Sequence, residues 1–211
     1  VGGVATGIVN IINEILQDNN ISPLDVNFIA HGTTQATNAL LEGDVAKVGV
    51  LGMGTGIDSS TAKSGTHTED IELAQGKFLK VYNRFVDSKK LYEALIEQSI
   101  EELKSEGAEV IVASEAYSVD DPTNELKVIE KANQKEMFAT GGHEISQLYG
   151  LKVRTRTAVV NASLMPKMME TANMTEQAVK DANIQTQLMI MRCDGGVMSI
   201  DEVRKRPILT M

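Results

Sequence analysis

The stretch EVIVAS, residues 109–114, decides the fold. Its central residues are apolar without a break, which is typical of a strand that is buried on both faces. Two further runs of this kind are KVGVL, residues 47–51, and QLMIMR, residues 187–192. Segments with apolar residues three to four apart, which are typical of helices, separate these strands. The alternation predicts an α/β fold with a mostly parallel sheet that helices cover on both faces.

Several local patterns add to this prediction. Apolar residues spaced three to four apart from Val4 to Ile15 predict an amphipathic helix. Gly107 predicts the C-cap of one helix, and the capping box at 199–202 predicts the start of another. Pro166 lies in a helical pattern and predicts that the helix kinks or restarts there. The hydrophobic pattern is weak over residues 52–87: residues 52–70 are rich in Gly, Ser and Thr and predict a long loop, and residues 77–86 can hold a strand.

Composition excludes several classes of protein. The 211 residues carry a net charge of -9, which argues against nucleic acid as a partner because phosphate binding requires a basic surface. No apolar run approaches the roughly 20 residues that span a bilayer, so no membrane contact is expected. The single cysteine, Cys193, excludes an internal disulfide and suits a reducing compartment. With no signal-peptide pattern either, the expected location is the cytoplasm.

Two polar segments follow predicted strands, where ligands bind in open α/β sheets. The first is HGTT, residues 31–34, and the second is CDGG, residues 193–196. A threonine of the first segment can cap the following helix, whose exposed amides favour an anion. Asp194 in the second segment can orient a water molecule or a metal ion. Either segment can equally be only a cap or a turn, and the pattern alone leaves both interpretations open.

Other polar residues are weaker candidates. GMGTG, residues 52–56, lacks the Gly-Lys-Ser or Gly-Lys-Thr of a P-loop, so it is interpreted mainly as a loop. The three histidines show no metal-ligand spacing, although His143 in GGHE can pair with a glutamate. Cys193 is interpreted as a small buried filler. Arg154 and Arg156 precede a helical pattern and can meet a carboxylate, with surface exposure as the simpler interpretation.

Three motifs in the same order resemble the hydantoinase A/5-oxoprolinase family. HGTTQATNALLE, residues 31–42, is similar to its His-Gly-Thr-Thr-x-Ala-Thr-Asn-Ala-Leu-Leu-Glu motif. RTRTAVVNASLMP, residues 154–166, resembles its Arg-x-x-Thr-Ala-Val-Val-Asn-Ala-x-Leu-x-Pro segment. Residues 188–210 resemble its strand, Asx-Gly-Gly turn and lead-out. The resemblance covers most of the chain and is poor at about residues 55–86.

The resemblance implies an actin-like ATPase (ribonuclease H-like) fold. It also implies an ATP-dependent hydrolase that opens a cyclic amide such as a hydantoin or 5-oxoproline by phosphorylating the ring carbonyl oxygen before water attacks. ATP and Mg²⁺ are the expected cofactors, and a second, B-type subunit or a fused domain is the expected partner. The alternatives are an ATP-using subunit of an acetone-type carboxylase and a non-catalytic binding or regulatory protein of the same fold.

The resemblance also implies a set of site residues, with no metal-ligating side chain among them. Asp194 and His31 are the expected catalytic residues. The residues expected to line a substrate or nucleotide cleft are Thr33, Thr34, Asn38, Thr157, Asn161, Gly195 and Gly196.

The chain departs from the family pattern at both ends. The family's Asp-x-Gly-Gly-Thr and Ser-Gly-Pro-Ala-x-Gly phosphate loops do not occur in the sequence, and Cys193 stands where serine is usual. We therefore expect an interior piece of a longer subunit. Residues 1–140 are expected to belong to the N-terminal family region and residues 141–211 to the start of the core region, either as two domains or as one compact unit.

The missing phosphate loops lead to a prediction about the chain alone. We expect the 211-residue chain to be inactive and to bind ATP weakly or not at all, because backbone amides of such loops supply most phosphate contacts. Isothermal titration calorimetry with ATP measures this directly. An affinity in the micromolar range would contradict the expectation.

Overall fold

The computed structural model describes the backbone of residues 2–211 and the side chains from residue 6 onward. It forms two compact units: one holds the residues up to Asn38 together with Lys167–Met211, and the other holds Ala39–Pro166. The amphipathic helix predicted from Val4 to Ile15 is present, although the side chain of Val4 lies outside the described residues. The predicted assignment of residues 1–140 and 141–211 to two family regions stays a prediction.

Helices and strands alternate along the chain, as the sequence predicts. The helices are α1 (Gly2–Asp18), α2 (Gln35–Glu42), α3 (Ser59–Thr66), α4 (Glu93–Glu106), α5 (Thr123–Gln134), α6 (Gly142–Ile145), α7 (Leu151–Asp181) and α8 (Ile200–Lys205). The strands are β1 (Ile29–His31), β2 (Val48–Gly54), β3 (Ile71–Ala74), β4 (Lys77–Leu79), β5 (Val81–Asp87), β6 (Val110–Glu115), β7 (Phe138–Gly141), β8 (Leu188–Met191) and β9 (Val197–Ser199). Short 3-10 helices lie at Pro23–Asp25, Gly56–Asp58, Ser88–Lys90 and Pro207–Thr210.

A four-stranded parallel sheet forms the centre of the Ala39–Pro166 unit. Its strand order is β5-β2-β6-β7, and β2 pairs with both neighbours in parallel. Val48 aligns with Val81 on one side and with Val110 on the other. Because all four strands are parallel, their carboxyl ends meet at one edge of the sheet. The predicted parallel sheet is confirmed.

Apolar side chains on both faces of this sheet are buried, which explains why the strands are continuous apolar runs. Alternate residues of β2 and β6 pack towards α7 on one face and towards α4 and α5 on the other. The α7 face contains Val48, Val50, Val110, Val112, Ala158, Val159, Ala162 and Met165. The opposite face contains Leu51, Met53, Ile111, Ala113, Ile96, Ile100, Leu103, Val128 and Ala132.

The other unit contains a three-stranded mixed sheet with the order β1-β8-β9. β1 runs parallel to β8, and β9 returns antiparallel to β8. Its buried apolar side chains include Leu16, Ala36, Met168, Ala172, Val179, Ile184, Leu188, Ile190, Met198, Ile200 and Val203. The parallel pair β1 and β8 gives this unit its own carboxyl edge.

One prediction about local structure is wrong. Residues 52–70 are not a long loop, because they contain the end of β2 and α3, whereas the strand that the sequence allowed at residues 77–86 is confirmed by β4 and β5. Gly52 and Gly54 are part of β2, where they let α3 approach: a Cβ at these positions would lie 2.2 Å from Thr66 Oγ1 and 2.5 Å from Ala62 Cβ. α7 continues through Pro166 without a restart, and a kink there stays a prediction.

The helices of the described residues include none that is long and apolar enough to cross a membrane.

The contact at Gly52 is testable by substitution. We expect Gly52→Ala to lower the free energy of unfolding by about 1–3 kcal/mol, because the added methyl group overlaps the Thr66 side chain. Gly150→Ala is the matched control, since a Cβ at Gly150 meets no atom within 4 Å. Urea unfolding of both variants measures the difference, and equal stabilities would contradict the packing role.

Candidate functional site

The two polar segments predicted from the sequence leave neighbouring parallel strands. β1 pairs with β8 so that His31 aligns with Ile190. The HGTT segment therefore continues from the same edge of the sheet as the CDGG segment, which follows Met191. A Cβ at Gly32 would lie 3.6 Å from Met191 Sδ, so the two chain segments are close as they leave the sheet.

The HGTT segment caps α2. The Gln35 amide donates to Thr33 Oγ1 at 3.2 Å, and the Asn38 amide donates to the Thr34 carbonyl at 2.8 Å. Asn38 Nδ2 lies 3.5 Å from Thr34 Oγ1, and both side chains are exposed. The predicted threonine cap is confirmed, and the exposed hydroxyl and amide beside it are available to solutes.

His31 ends β1 as a half-buried side chain. Burial lowers the pKa of its imidazole below the ordinary value of 6.5, because a desolvated imidazolium is unfavourable. The side chain is therefore neutral at neutral pH. A neutral imidazole can accept a proton or a hydrogen bond, as a general base requires.

The CDGG segment forms the turn of the hairpin between β8 and β9. The Arg192 amide donates to the Gly196 carbonyl at 2.8 Å, and the Gly195 amide donates to the Arg192 carbonyl at 3.1 Å. Gly195 has φ +83°, a conformation that glycine adopts most readily. The turn thus needs a glycine at 195 for its backbone alone.

The carboxylate of Asp194 lies at the surface of this turn. It accepts hydrogen bonds from the Gly196 amide at 3.0 Å and from Arg192 Nη2 at 2.5 Å. These two contacts lower the pKa of Asp194, with the amide as the larger cause. An ionised, exposed carboxylate is available for an incoming ligand.

Cys193 does not fill the core. Its side chain is exposed because it lies in the hairpin turn, beyond the last residue of β8. Its amide donates to the Leu209 carbonyl at 3.1 Å. The prediction of a buried filler is wrong.

The remaining predicted site residues, Thr157 and Asn161, belong to the Ala39–Pro166 unit. Thr157 Oγ1 donates to the Val153 carbonyl of the same helix at 2.9 Å. The Asn161 side chain is fully buried. Nothing among the described contacts assigns either residue to a site, so their roles stay predictions.

A buried polar cluster, which the sequence did not predict, lies at the carboxyl ends of β6 and β7. Its centre is Glu125, whose side chain is 0% exposed. One carboxylate oxygen accepts the Glu115 amide at 2.8 Å. The other accepts the His143 amide at 3.1 Å and lies 2.5 Å from His143 Nδ1. A buried carboxylate is tolerated here because both oxygens are satisfied.

Arg154 is the cation of this cluster. Its guanidinium is buried, and it donates to the carbonyls of Leu148 at 2.7 Å and Glu115 at 2.8 Å. Burial lowers the pKa of Arg154, and the Glu125 charge acts in the opposite direction. The interpretation of Arg154 as a surface residue is wrong. Its buried guanidinium connects the start of α7 to the end of β6 by a hydrogen bond.

The sequence carried one signal for this cluster, the pair of glycines before His143. A Cβ at Gly141 would lie 2.7 Å from Glu125 Oε2, and a Cβ at Gly142 would lie 3.2 Å from Glu125 Oε1. The partner of His143 is Glu125 and not the adjacent Glu144, which instead accepts the Gly141 amide at 2.8 Å. Sequence reasoning missed Glu125 because it lies 18 residues from its partner.

Among the described residues, no group of three or more His, Cys, Asp or Glu side chains is arranged to hold a metal ion.

The His143 pair predicts a pH dependence of stability. The hydrogen bond to Glu125 raises the pKa of His143 above its ordinary value of 6.5, assisted by the charges of Glu125 and Glu144 and opposed by burial and by Arg154. A group whose pKa is raised on folding adds stability that is fully present below its unfolded pKa and is lost as the pH rises through the folded pKa.

The stability advantage of the wild type over His143→Gln should therefore be largest below pH 6.5 and shrink at higher pH. Urea unfolding at a series of pH values measures it. When Glu125→Gln is present in both proteins, the effect of His143→Gln on the free energy of unfolding should no longer depend on pH, because His143 has lost its carboxylate partner. A wild-type advantage that grows with pH would contradict the assignment.

Known proteins match the chain along most of its length. The family model described as the hydantoinase/oxoprolinase N-terminal region matches residues 2–136, and the one described as hydantoinase/oxoprolinase matches residues 154–211. The alpha subunit of caprolactamase from Pseudomonas jessenii is 25% identical over an alignment of 202 residues, and the match covers 87% of this chain and 29% of that protein. The chain thus spans less than a third of that relative's length.

Two solved structures share the fold. The crystal structure of ATP-dependent caprolactamase from Pseudomonas jessenii superposes with a TM-score of 0.69 at 22% identity, over 97% of this chain and 33% of that one. Nucleotide-free acetone carboxylase superposes with a TM-score of 0.69 at 17% identity, over 98% of this chain and 34% of that one. These likenesses confirm the predicted fold class. Because the first family model alone matches more than half of the chain, the chain belongs to the hydantoinase/oxoprolinase family.

Proposed function

We propose that this chain is part of an ATP-dependent hydrolase that opens a cyclic amide of the hydantoin or 5-oxoproline type. The observation that supports this most is the parallel pairing of β1 with β8, because it brings two family motifs to one edge of a sheet. Ligands bind outside the carboxyl ends of such strands. ATP, when bound, supplies the phosphoryl group that activates the ring carbonyl for attack by water.

The residues at this edge suit part of a nucleotide or substrate site. The amides of Ala36 and Thr37, in the first turn of α2, have no partner among the described residues, and the Thr34 hydroxyl beside them is exposed. Free amides at a helix N-terminus favour a phosphate or carboxylate oxygen. The hairpin is less suited to hold phosphate, since the amides of Cys193, Gly195 and Gly196 already donate within the chain.

The roles we propose follow from these environments. His31 is neutral at neutral pH, so it can accept a proton from an attacking water molecule. Asp194 is ionised and exposed, so it can orient that water or supply one oxygen to Mg²⁺, which usually takes one or two carboxylates along with phosphate oxygens. Thr33, Thr34 and Asn38 position the ligand by hydrogen bonds, while Gly195 and Gly196 keep the hairpin free of side chains. The roles of Thr157 and Asn161, which belong to the Ala39–Pro166 unit, stay predictions.

A partner is part of the proposal. The caprolactamase relative is an alpha subunit, which implies at least one other kind of subunit in that enzyme. We propose that the enzyme containing this chain likewise requires a B-type subunit or a fused domain. Copurification with tagged full-length gene product identifies it.

Carboxylation of a ketone is the rival activity on this fold. If ATP turnover requires bicarbonate and a ketone, the enzyme is a carboxylase and the proposed hydrolase activity is wrong. Turnover that requires a cyclic amide and proceeds without bicarbonate supports the hydrolase. The assay uses the full-length gene product together with its partner.

Asp194→Asn tests the site residue that we rank first. In the full-length protein it should reduce kcat for amide-dependent ATP turnover by about 10²-fold or more, a typical contribution of a positioned catalytic acid or base. Asp18→Asn is the control, because Asp18 is an exposed aspartate at the end of α1 and its substitution removes the same charge. Steady-state kinetics measures both variants, and normal turnover by Asp194→Asn would remove Asp194 from the site.

A further inference from the structure

A cavity of about 670 Å³ lies in the Ala39–Pro166 unit. Its walls come from α3, from the segment that follows α3, and from the first turns of α7. Ligand-binding cavities usually measure about 300–1,000 Å³, so this one can hold a small molecule. It includes none of the predicted site residues.

Two basic pairs face this cavity. Lys63 lies on α3 and His67 directly follows that helix, while Lys152 and Arg156 lie four residues apart at the start of α7. The α7 pair shares one face of its helix. The helices approach closely, since a Cβ at Gly65 would lie 2.8 Å from Leu151 Cδ2.

The cations of this cavity are not neutralised by the protein. Among the described residues, Lys63, Lys152 and Arg156 make no ion pair and no side-chain hydrogen bond. Other lysines of the unit, such as Lys47 and Lys77, make no ion pair with the described residues either, but the three cations named here share one cavity. In a chain with a net charge of -9, unpaired cations that share one cavity indicate an external anion as their partner.

Hydroxyl groups add neutral donors to the same surface. Ser60 and Ser64 lie four residues apart on α3 and line the cavity. Both are exposed, and neither side chain has a partner among the described residues. The positive end of the α7 dipole also lies at this wall, which favours an anion further.

The acidic residues of the wall do not cancel this charge. The carboxylate of Asp70 is occupied by Lys80 Nζ at 2.5 Å and by the Val81 amide at 3.0 Å. These contacts lower the pKa of Asp70, with the Lys80 hydrogen bond as the largest cause. Glu69 is the other acid of the wall. The cations therefore exceed the uncompensated acids.

We propose that this cavity binds a small molecule that carries a phosphate group. A phosphate ester has a charge of about -1.5 to -2 at neutral pH and three acceptor oxygens, which suits the unpaired cations and the two serine hydroxyls. A single carboxylate would leave most of these cations without a partner. The site is independent of the proposed hydrolase activity, since it shares no residue with it.

Calorimetric titration of the 211-residue chain with pyrophosphate tests the proposal. Binding should occur with a Kd of about 0.1 mM, which is compatible with the weak ATP binding expected of this chain, and Lys63→Ala, Lys152→Ala and Arg156→Ala should each weaken it about tenfold, the effect of losing one charge-assisted contact. Lys104→Ala is the matched control, because Lys104 is exposed on α4 outside the cavity and its removal changes the net charge equally. Raising salt from about 0.1 M to about 1 M should weaken binding, since the Debye length falls from about 10 Å to about 3 Å.

Three results would overturn the proposal. They are the absence of pyrophosphate binding, equal weakening by Lys104→Ala and by the cavity variants, and malonate binding as tight as that of pyrophosphate. Far-UV circular dichroism and thermal unfolding establish that each variant is folded. Asp194→Asn should leave pyrophosphate binding unchanged. The pyrophosphate titrations therefore test the cavity, and the turnover assays test the proposed hydrolase activity.

Discussion

Burial of both faces of the parallel sheet is the constraint on which the rest of the larger unit depends. β2 and β6 are enclosed by α7 on one side and by α4 and α5 on the other, so their side chains must be apolar. Polar chemistry is thereby confined to the ends of the strands. At the ends of β6 and β7 the charged side chains of Glu125 and Arg154 are buried, and each is held by several hydrogen bonds because an unpaired buried charge would be costly. The cluster thus closes the carboxyl edge of this sheet and joins β6, β7 and the start of α7.

At the carboxyl edge of β1 and β8 the polar residues also lie at the ends of the strands, but they are not buried. Here the polar groups stay exposed: Thr34, Asn38 and Asp194 all face solvent. Thr33 caps α2, yet the cap and a ligand site are compatible, because the next amides of the helix keep free donors. The contrast between a sealed polar edge and an open one is the physical reason for assigning the chemistry to the open edge.

The sequence alone predicted the structure correctly where a few neighbouring residues determine it. Gly107 ends α4 with φ +113°, and Ser199 accepts the Glu202 amide at the start of α8, both as predicted. The continuous apolar runs likewise predicted the parallel sheet from neighbouring residues alone.

The predictions failed where residues that are far apart in the sequence determine the structure. Gly52 and Gly54 were interpreted as loop residues because the sequence does not show their contacts with α3, and Glu125 was not predicted because His143 lies far along the chain. Cys193 was misassigned because the hairpin turn begins just after β8.

Membership of the family, the open edge of β1 and β8 and the environments of His31 and Asp194 support one account, which is an ATP-dependent opening of a cyclic amide. In this account water adds to the phosphorylated carbonyl carbon, the ring C–N bond breaks to give an acyl phosphate and an amine, and a second water molecule at the acyl carbon releases phosphate with the former carbonyl oxygen. The most direct measurement uses a cyclic amide with heavy oxygen in its ring carbonyl, the full-length protein, its partner and ATP. The account predicts that mass spectrometry finds the heavy oxygen in inorganic phosphate. Heavy oxygen that remains wholly in the carboxylate product would contradict it.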